Sequence, residues 1–361
     1  MKRIAFAALL AVSSLALVPR LASAQCNATG TLCITPQSPD ADAFAAGLGL
    51  TPAELTQRIL TQIDGLYQVT DVNSFLRDFQ NAQNFSSKGL GVDYASEATL
   101  AEVGFTVSLA SNVDKAYKPS GSYTDPPISG AGANLSLMAG LGMGLFGFDP
   151  LMIFGNWFKH DLSLGALDGS YHNWGLHGQL RLLGPSRETT ALKMLIRWGG
   201  IAITSGVDYS RLSLSTSKQI HSTLNNVYPG APVTVTSTGA LIFTLDQTTW
   251  SIPLEITTSL RLLFLTVYGG LGFDWQLGGG SDLNIDMLAN LSGSYMGASY
   301  GNLGTARIKV PGHVSPSAAR MREIVGLQLS IMGLVRFFAQ VNVANSSPML
   351  TSVAAGLRLA I

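Results

Sequence analysis

Residues 103–110 read Val103-Gly104-Phe105-Thr106-Val107-Ser108-Leu109-Ala110, and this stretch decides the fold. Its odd positions are apolar and its even positions small or polar. That is the period of two of a β-strand with one apolar and one polar face. The same period returns in Ala133, Leu135, Leu137, Ala139, Leu141, Met143 and Leu145, set against Asn134, Ser136 and glycines. Trp174, Leu176, Leu180 and Leu182 alternate with His177, Gln179 and Arg181. Leu263 to Trp275, Ile285 to Leu291, Val335 to Val343 and Val353 to Ile361 follow suit.

A soluble β-sandwich could show one such run on its core face, but many long runs in a poorly charged chain point to lipid. Charged residues make up 12% of the 361 residues, apolar residues 47%, and glycine contributes 39. A helical span needs about 20 consecutive apolar residues, and nothing after residue 24 supplies them. A membrane β-barrel needs only alternate apolar residues. The expected fold is therefore an all-β transmembrane antiparallel β-barrel of twelve strands, within a range of 10 to 14, preceded by a short helical segment.

The start of the chain reads differently. Lys2 and Arg3, the apolar Ile4 to Val18 and the small Ala22-Ser23-Ala24 form a secretory signal peptide, residues 1–24. Loss of Lys2, Arg3 and Arg20 would leave 19 basic residues against 22 acidic, a balance that suggests no nucleic-acid partner. Residues 25–50 read as a polar loop, in which Cys26 and Cys33 are placed to form a disulfide after export. Residues 51–90 read as helical. Thr51 is the N-cap, Pro52 the first helical residue and Glu54 the capping-box acid. Leu55, Ile59, Ile63 and Leu66 make one stripe, and a second helix from Asp71 carries Phe75, Leu76 and Phe79. Residues 91–361 are assigned to the barrel, its first strand near Val103.

Bacterial barrels have short periplasmic turns and long external loops. With the first strand running outward, Lys118 to Gly130 and Ser217 to Thr238 become external. The tight connections near Ser259 to Arg261 and Gly333, and the C-terminus, fall inside. Asp282 to Val310 either adds a hairpin to the wall or folds within an external loop. Trp157, Trp174, Trp198, Trp250 and Trp275 lie near strand ends, where amphipathic rings favour the membrane interface.

The signal segment, the alternating strands and the closing Gly356-Leu357-Arg358-Leu359-Ala360-Ile361 together resemble the bacterial outer-membrane β-barrel superfamily. That resemblance implies the outer membrane of a bacterial cell, lipid partners and an assembly machinery that reads the last strand, here ending on Ile361 rather than the commoner Phe. The helical segment before the barrel resembles the N-terminal hatch of the long-chain fatty-acid transporter family.

Motifs for chemistry are sparse. Gly142-x-Gly144-x-x-Gly147 lies in a period-two run and reads as strand packing. Asp282, Asn284 and Asp286 begin like a calcium loop, but Met287 and Gly293 stand where Gly and Glu are needed. They form only a loose external cation candidate. No cofactor is implied, and His160 with Asp161, or His177, is all a barrel hydrolase could be built on. The informative feature is the polar face. His177, Gln179, Arg181, Lys193, Arg197, Glu255, Asp274, Arg336, Gln340 and Arg358 are the expected lumen-lining residues. Charges do not face lipid cheaply, so they imply a hydrated or salt-bridged interior. The chain is expected to be a channel or transporter for an unidentified small or hydrophobic solute and not an enzyme. A non-conducting structural or surface-interaction protein is the alternative, and a barrel hydrolase a second one.

Overall fold

The computed structural model describes residues 24–36, 39–66, 72–95, 99–112, 130–184, 196–225, 227–228, 231–346 and 349–361. The signal segment to Ser23, most of the Lys118 to Gly130 loop and Lys193 lie outside the described residues. In chain order the elements are β1 (Gln25–Cys26), β2 (Leu32–Pro36), α1 (Asp40–Gly47), α2 (Pro52–Leu66) and α3 (Val72–Ser86). Then come β3 (Ala101–Asn112), β4 (Ala131–Gly142), β5 (Leu151–Leu164), β6 (Leu167–Leu183), β7 (Ile196–Asn225) and β8 (Val233–Leu262). The series ends with β9 (Leu265–Tyr295), β10 (Ala298–Val314), β11 (Ala319–Ile331), β12 (Val335–Ala344) and β13 (Leu350–Ala360). These elements divide between two compact units.

The first unit comprises the N-terminal part to residue 67 with residues 219–241 and 286–309. The span 25–50, expected to be loop, is ordered here. β1 and β2 form a hairpin closed by the Cys26–Cys33 disulfide, and β2 adds to β10. Leu32 and Ile34 alternate toward the core, and Asp40 and Asp42 sit in the first turn of α1, where acids suit the helix dipole. Phe44 of α1 packs edge-on against Tyr300. The capping box of α2 forms as the sequence reads. The Thr51 N–H donates to Glu54 Oε2 at 2.8 Å and the Glu54 N–H to Thr51 Oγ1 at 3.3 Å. Leu55, Ile59 and Ile63 are its buried stripe.

The second unit holds the ring. Its strand order is β3, β4, β5, β6, β7, β8, β9, β11, β12, β13, and β13 returns to β3 in antiparallel register, with Val353 opposite Leu109. Ten strands close the circle, inside the expected range. β10 follows β9 on the far side from that closure, beside β2, so the Asp282 to Val310 region extends the sheet without entering the ring. β3 begins at Ala101, ten residues after the expected barrel boundary.

Burial in the ring is inverted relative to a soluble protein. Val103, Phe105, Val107 and Leu109 are exposed while Thr106 and Ser108 are buried; on β12 Phe337 and Val341 are exposed while Arg336, Gln340 and Asn342 are buried. The outward apolar face is framed by aromatic rings. Trp157 pairs with Trp174, Trp174 with Tyr209, and the Tyr209 ring lies 4.7 Å from Trp250, so four adjacent strands carry rings at one level. Phe146, Trp198 and Phe264 are exposed toward the opposite ends of the strands. The interval between Trp198 and Tyr209 matches the ~9–11 residues a tilted membrane strand needs. Among the described residues no helix is long and apolar enough to cross a membrane. The ring is the spanning element.

Two outcomes test this architecture. Leu254 faces outward on β8 midway between Trp250 and Thr258, the partner of Trp198, so Leu254→Arg costs about 2–4 kcal/mol of folding free energy in lipid vesicles; a neutral effect would move that face off the bilayer. The second concerns α2, where the Thr51 backbone N–H and then its hydroxyl hold the Glu54 carboxyl below the ordinary glutamate range. A depressed folded pKa contributes stability above the unfolded pKa and loses it as pH falls through the folded value. The protection of the first-turn amides of α2, relative to their intrinsic exchange rates, should therefore fall only under acid conditions, and Glu54→Gln should remove that pH dependence.

Candidate functional site

Residues 82–95 read Ala-Gln-Asn-Phe-Ser-Ser-Lys-Gly-Leu-Gly-Val-Asp-Tyr-Ala. So polar and glycine-rich a run would ordinarily be a surface loop. Here every one of these residues is buried. Their partners explain why, because they come from all around the ring. The run occupies the lumen as a plug, with α3 leading into it.

Three clamps hold it. Asp93 takes Arg358 Nη1 at 2.8 Å on Oδ1 and Arg336 Nη1 at 3.2 Å on Oδ2, uniting the plug with β12 and β13. Lys88 Nζ lies 3.3 Å from Asp208 on β7 and also donates to Ser251 on β8. The Tyr94 hydroxyl donates to Glu255 on β8 at 2.9 Å. Behind the clamps the wall is braced: Glu255 pairs with Arg322, which lies 3.1 Å from Asp274 and donates to Asn342, while His177 meets Asp208 at 3.0 Å. A buried charge is tolerable only when paired and hydrogen-bonded, and each of these is.

The backbone adds its own fixings. Gln179 donates to the Asp93 carbonyl at 3.1 Å and Ser259 to that of Ala95 at 3.0 Å. Gly91 has φ +83°, and a Cβ there would stand 2.9 Å from Asn156 Cβ, so glycine is required on both counts. The β4–β5 ladder runs only from Gly142 and Met152 to Leu137 and Trp157, whereas the β3–β4 and β5–β6 ladders continue well beyond. Past its end, Gln83 of α3 takes both backbone groups of Ala133, at 3.1 and 3.3 Å. A Cβ on the neighbouring Gly132 would collide with the Gln83 backbone at 2.5 Å, so the helix rests directly on this strand.

Of the expected lumen residues, His177, Gln179, Glu255, Asp274, Arg336, Gln340 and Arg358 are buried inside the ring. Arg181 is half-buried near the end of β6, and Arg197 is exposed at the start of β7, beside the outward Trp198. The reason is local: the β6–β7 register shifts between Arg181 and Leu183, and Gly200 has φ +96°. Past such a bulge, parity no longer tells which face a residue takes. Lys88, Asp93, Tyr94, Glu102, Asp208 and Arg322 belong to the site without having been expected there.

The remaining motifs take simple positions. Asp282 and Asn284 share an open cleft of about 600 Å³ with Asn73, Thr244 and His313, whose Nδ1 lies 2.7 Å from Asp282, while Asp286 is held by Arg307 at 2.8 Å. The three do not converge on one point, and no cluster of metal-binding type occurs among the described residues. His160 and Asp161 are exposed on β5. Ser251, the hydroxyl in the Lys88 and Asp208 group, is bonded to Lys88 and not to His177. Gly142 to Gly147 brackets a single 3-10 turn.

The family model described as Lsa36-like matches residues 40–361, plug and ring together. The chain belongs to the Lsa36-like family. No curated protein sequence matches it. Among solved structures, the Lsa36-like chain is similar to the translocator domain of the autotransporter NalP from Neisseria meningitidis, at 14% identity, with 77% of this chain and 93% of that one covered and a TM-score of 0.31. A FadL homologue from Pseudomonas aeruginosa matches at 8% identity over 82% and 97% of the two chains, TM-score 0.25. Ail, the attachment invasion locus protein of Yersinia pestis, matches at 13% over 72% and 96%, TM-score 0.21. All superpose loosely. The barrel class itself rests on the closed ring and its inverted burial.

The clamps of this Lsa36-like barrel differ in what their loss exposes. Asp93→Asn leaves Arg336 and Arg358 buried with one fewer counter-charge and should cost about 3–5 kcal/mol. Lys88→Met leaves Asp208 its His177 partner and should cost less, about 1–3 kcal/mol. Urea unfolding of the two variants in detergent checks the order, and a reversal would show that Asp93 is not the principal anchor.

Proposed function

We propose that this Lsa36-like protein is an outer-membrane β-barrel that works as a plug-gated channel for small polar solutes. The observation that carries this is the chemistry of the plug's seat. Residues 88–95 are held to the wall by ion pairs and hydrogen bonds to hydrophilic groups on β6, β7, β8, β12 and β13. Several buried wall groups, including Ser108 Oγ, Thr249 Oγ1, Thr257 Oγ1 and Gln340 Nε2, have no hydrogen-bond partner among the described residues. Groups of that kind are met by water or a polar solute, and a lumen built only as a packed core would leave few of them. The same polarity favours polar over hydrophobic cargo. Export by the N-terminal signal, lipid contact around the ring and assembly through the Leu357, Leu359 and Ile361 strand complete the reading.

A second reading is a non-conducting surface-interaction protein. The first unit favours it, since a disulfide hairpin, two helices and the continuations of four strands make a compact body of their own. Its partners would then lie outside the cell.

Conductance in planar lipid bilayers separates the two. The full chain should be closed for most of the record, and a variant lacking residues 88–95, with its β-structure verified by circular dichroism, should show stable ohmic steps. A folded but silent deletion variant would overturn the channel reading in favour of the surface protein.

A further inference from the structure

We infer that Lys159, His172 and Arg211, a row on the outward face of the ring next to its aromatic side chains, hold the headgroup phosphate of a membrane lipid. The inference needs only the spanning ring, and it stands whether or not the lumen conducts.

The row follows from the strand register. On β5, β6 and β7, Trp157 stands opposite Trp174 and Trp174 opposite Tyr209. Two residues further along each strand, on the same face, Lys159 stands opposite His172 and His172 opposite Arg211. Neither ladder shifts register in between, so the basic row runs parallel to the aromatic one. Lys159 and Arg211 are exposed; His172 is half-buried, its ring edge-on to Tyr209 at 5.8 Å. Amphipathic rings settle at the level of the lipid headgroups. Two residues of strand add about 7 Å along its axis, and less along the membrane normal because strands tilt, which sets the basic row at phosphate depth. With neighbouring strands about 4.8 Å apart, Lys159 and Arg211 flank a space of about 10 Å, one that two long side chains close on a single phosphate with His172 between them. Guanidinium and ammonium groups are the side chains suited to that anion.

The acids nearby decide between a lipid and a dissolved phosphate. Asp161 is exposed one step further from the aromatic row on β5, opposite Ser170. Arg211 lies 3.7 Å from Asp246, and both side chains are more than half exposed. An ion pair so open to solvent is worth little, so Arg211 stays able to take a phosphate. A phosphate arriving from water meets these carboxylates first and is repelled. One carried on a lipid arrives along Trp157, Trp174 and Tyr209, with its acyl chains against the outward Ile153 and Leu176, and meets the cations first. The arrangement therefore selects a phosphate that comes from the membrane side.

The experiment reconstitutes the full chain in phosphatidylcholine vesicles at constant ionic strength and adds phosphatidic acid or phosphatidylcholine with brominated acyl chains. Bromine quenches tryptophan fluorescence on contact, so the signal of Trp157, Trp174 and Trp250 reports which lipid sits at the row. Brominated phosphatidic acid should be enriched there by about fivefold over phosphatidylcholine, the scale expected for a basic residue at a membrane surface. The double variant Lys159→Gln with Arg211→Gln should lose the enrichment, and Arg211→Lys, which keeps the charge, should retain part of it. Arg197→Gln, at the other end of β7 beside Trp198, should leave it unchanged. Equal quenching by the two lipids in the wild type overturns the site, and so does an enrichment that survives the double variant. Displacement of the lipid by an excess of inorganic phosphate overturns the membrane as the source of the ligand.

Discussion

The buried carboxylate of Asp93, shared between Arg336 and Arg358, is the interaction on which the interior depends. A ten-strand ring whose outward face meets hydrocarbon must turn its polar side chains inward, and the inward arginines then need counter-charges that solvent does not supply. Glu102 balances one of them. The plug brings the other, and Gln179 secures the plug by its backbone at the same residue. That one residue ties the N-terminal segment to the last two strands, next to the seam where β13 meets β3 and the chain closes on itself.

The same logic explains why a glycine-rich, hydrophilic run is buried at full length. Its neighbours in the lumen are hydroxyls, amides and charges on strands from opposite parts of the ring, so a polar run satisfies them where an apolar one would orphan them. The apolar residues that it does carry are placed where the wall is apolar. Val92 and Tyr94 pack with Phe154, Tyr268 and Ile324, and Phe85 packs with Ala110 and Leu350.

The wall could be read from the sequence because lipid on one side and a polar lumen on the other force a strict period of two. His177, Gln179, Arg336, Gln340 and Arg358 were placed by that period alone. It does not show that Arg181 and Arg197, beside the register shift between Arg181 and Leu183, stay less buried than the rest, or that β10 extends the sheet without joining the ring. The plug was invisible for a different reason. Thr51, Pro52 and Glu54 announce a helix through local chemistry, whereas Lys88, Asp93 and Tyr94 owe their burial to partners over a hundred residues away. Nothing local marks them except one cation, one acid and one phenol spaced among glycines.

The two halves of the plug are attached by different forces, and this determines which half can yield. α3 makes up for the short β4–β5 ladder: Gln83 satisfies the Ala133 backbone, and Leu76 is sunk among Leu245, Leu283 and Val314. Withdrawing it would strip backbone groups and apolar surface at once, with nothing small enough to replace both. Residues 88–95 hold on chiefly through ionic and hydrogen-bonding groups that water or a solute can imitate, and Gly91, already in the left-handed region, gives that stretch a backbone free of Cβ restraint. In the proposed channel, residues 88–95 are thus the part that would yield, while Gln83 keeps its hold on the Ala133 backbone.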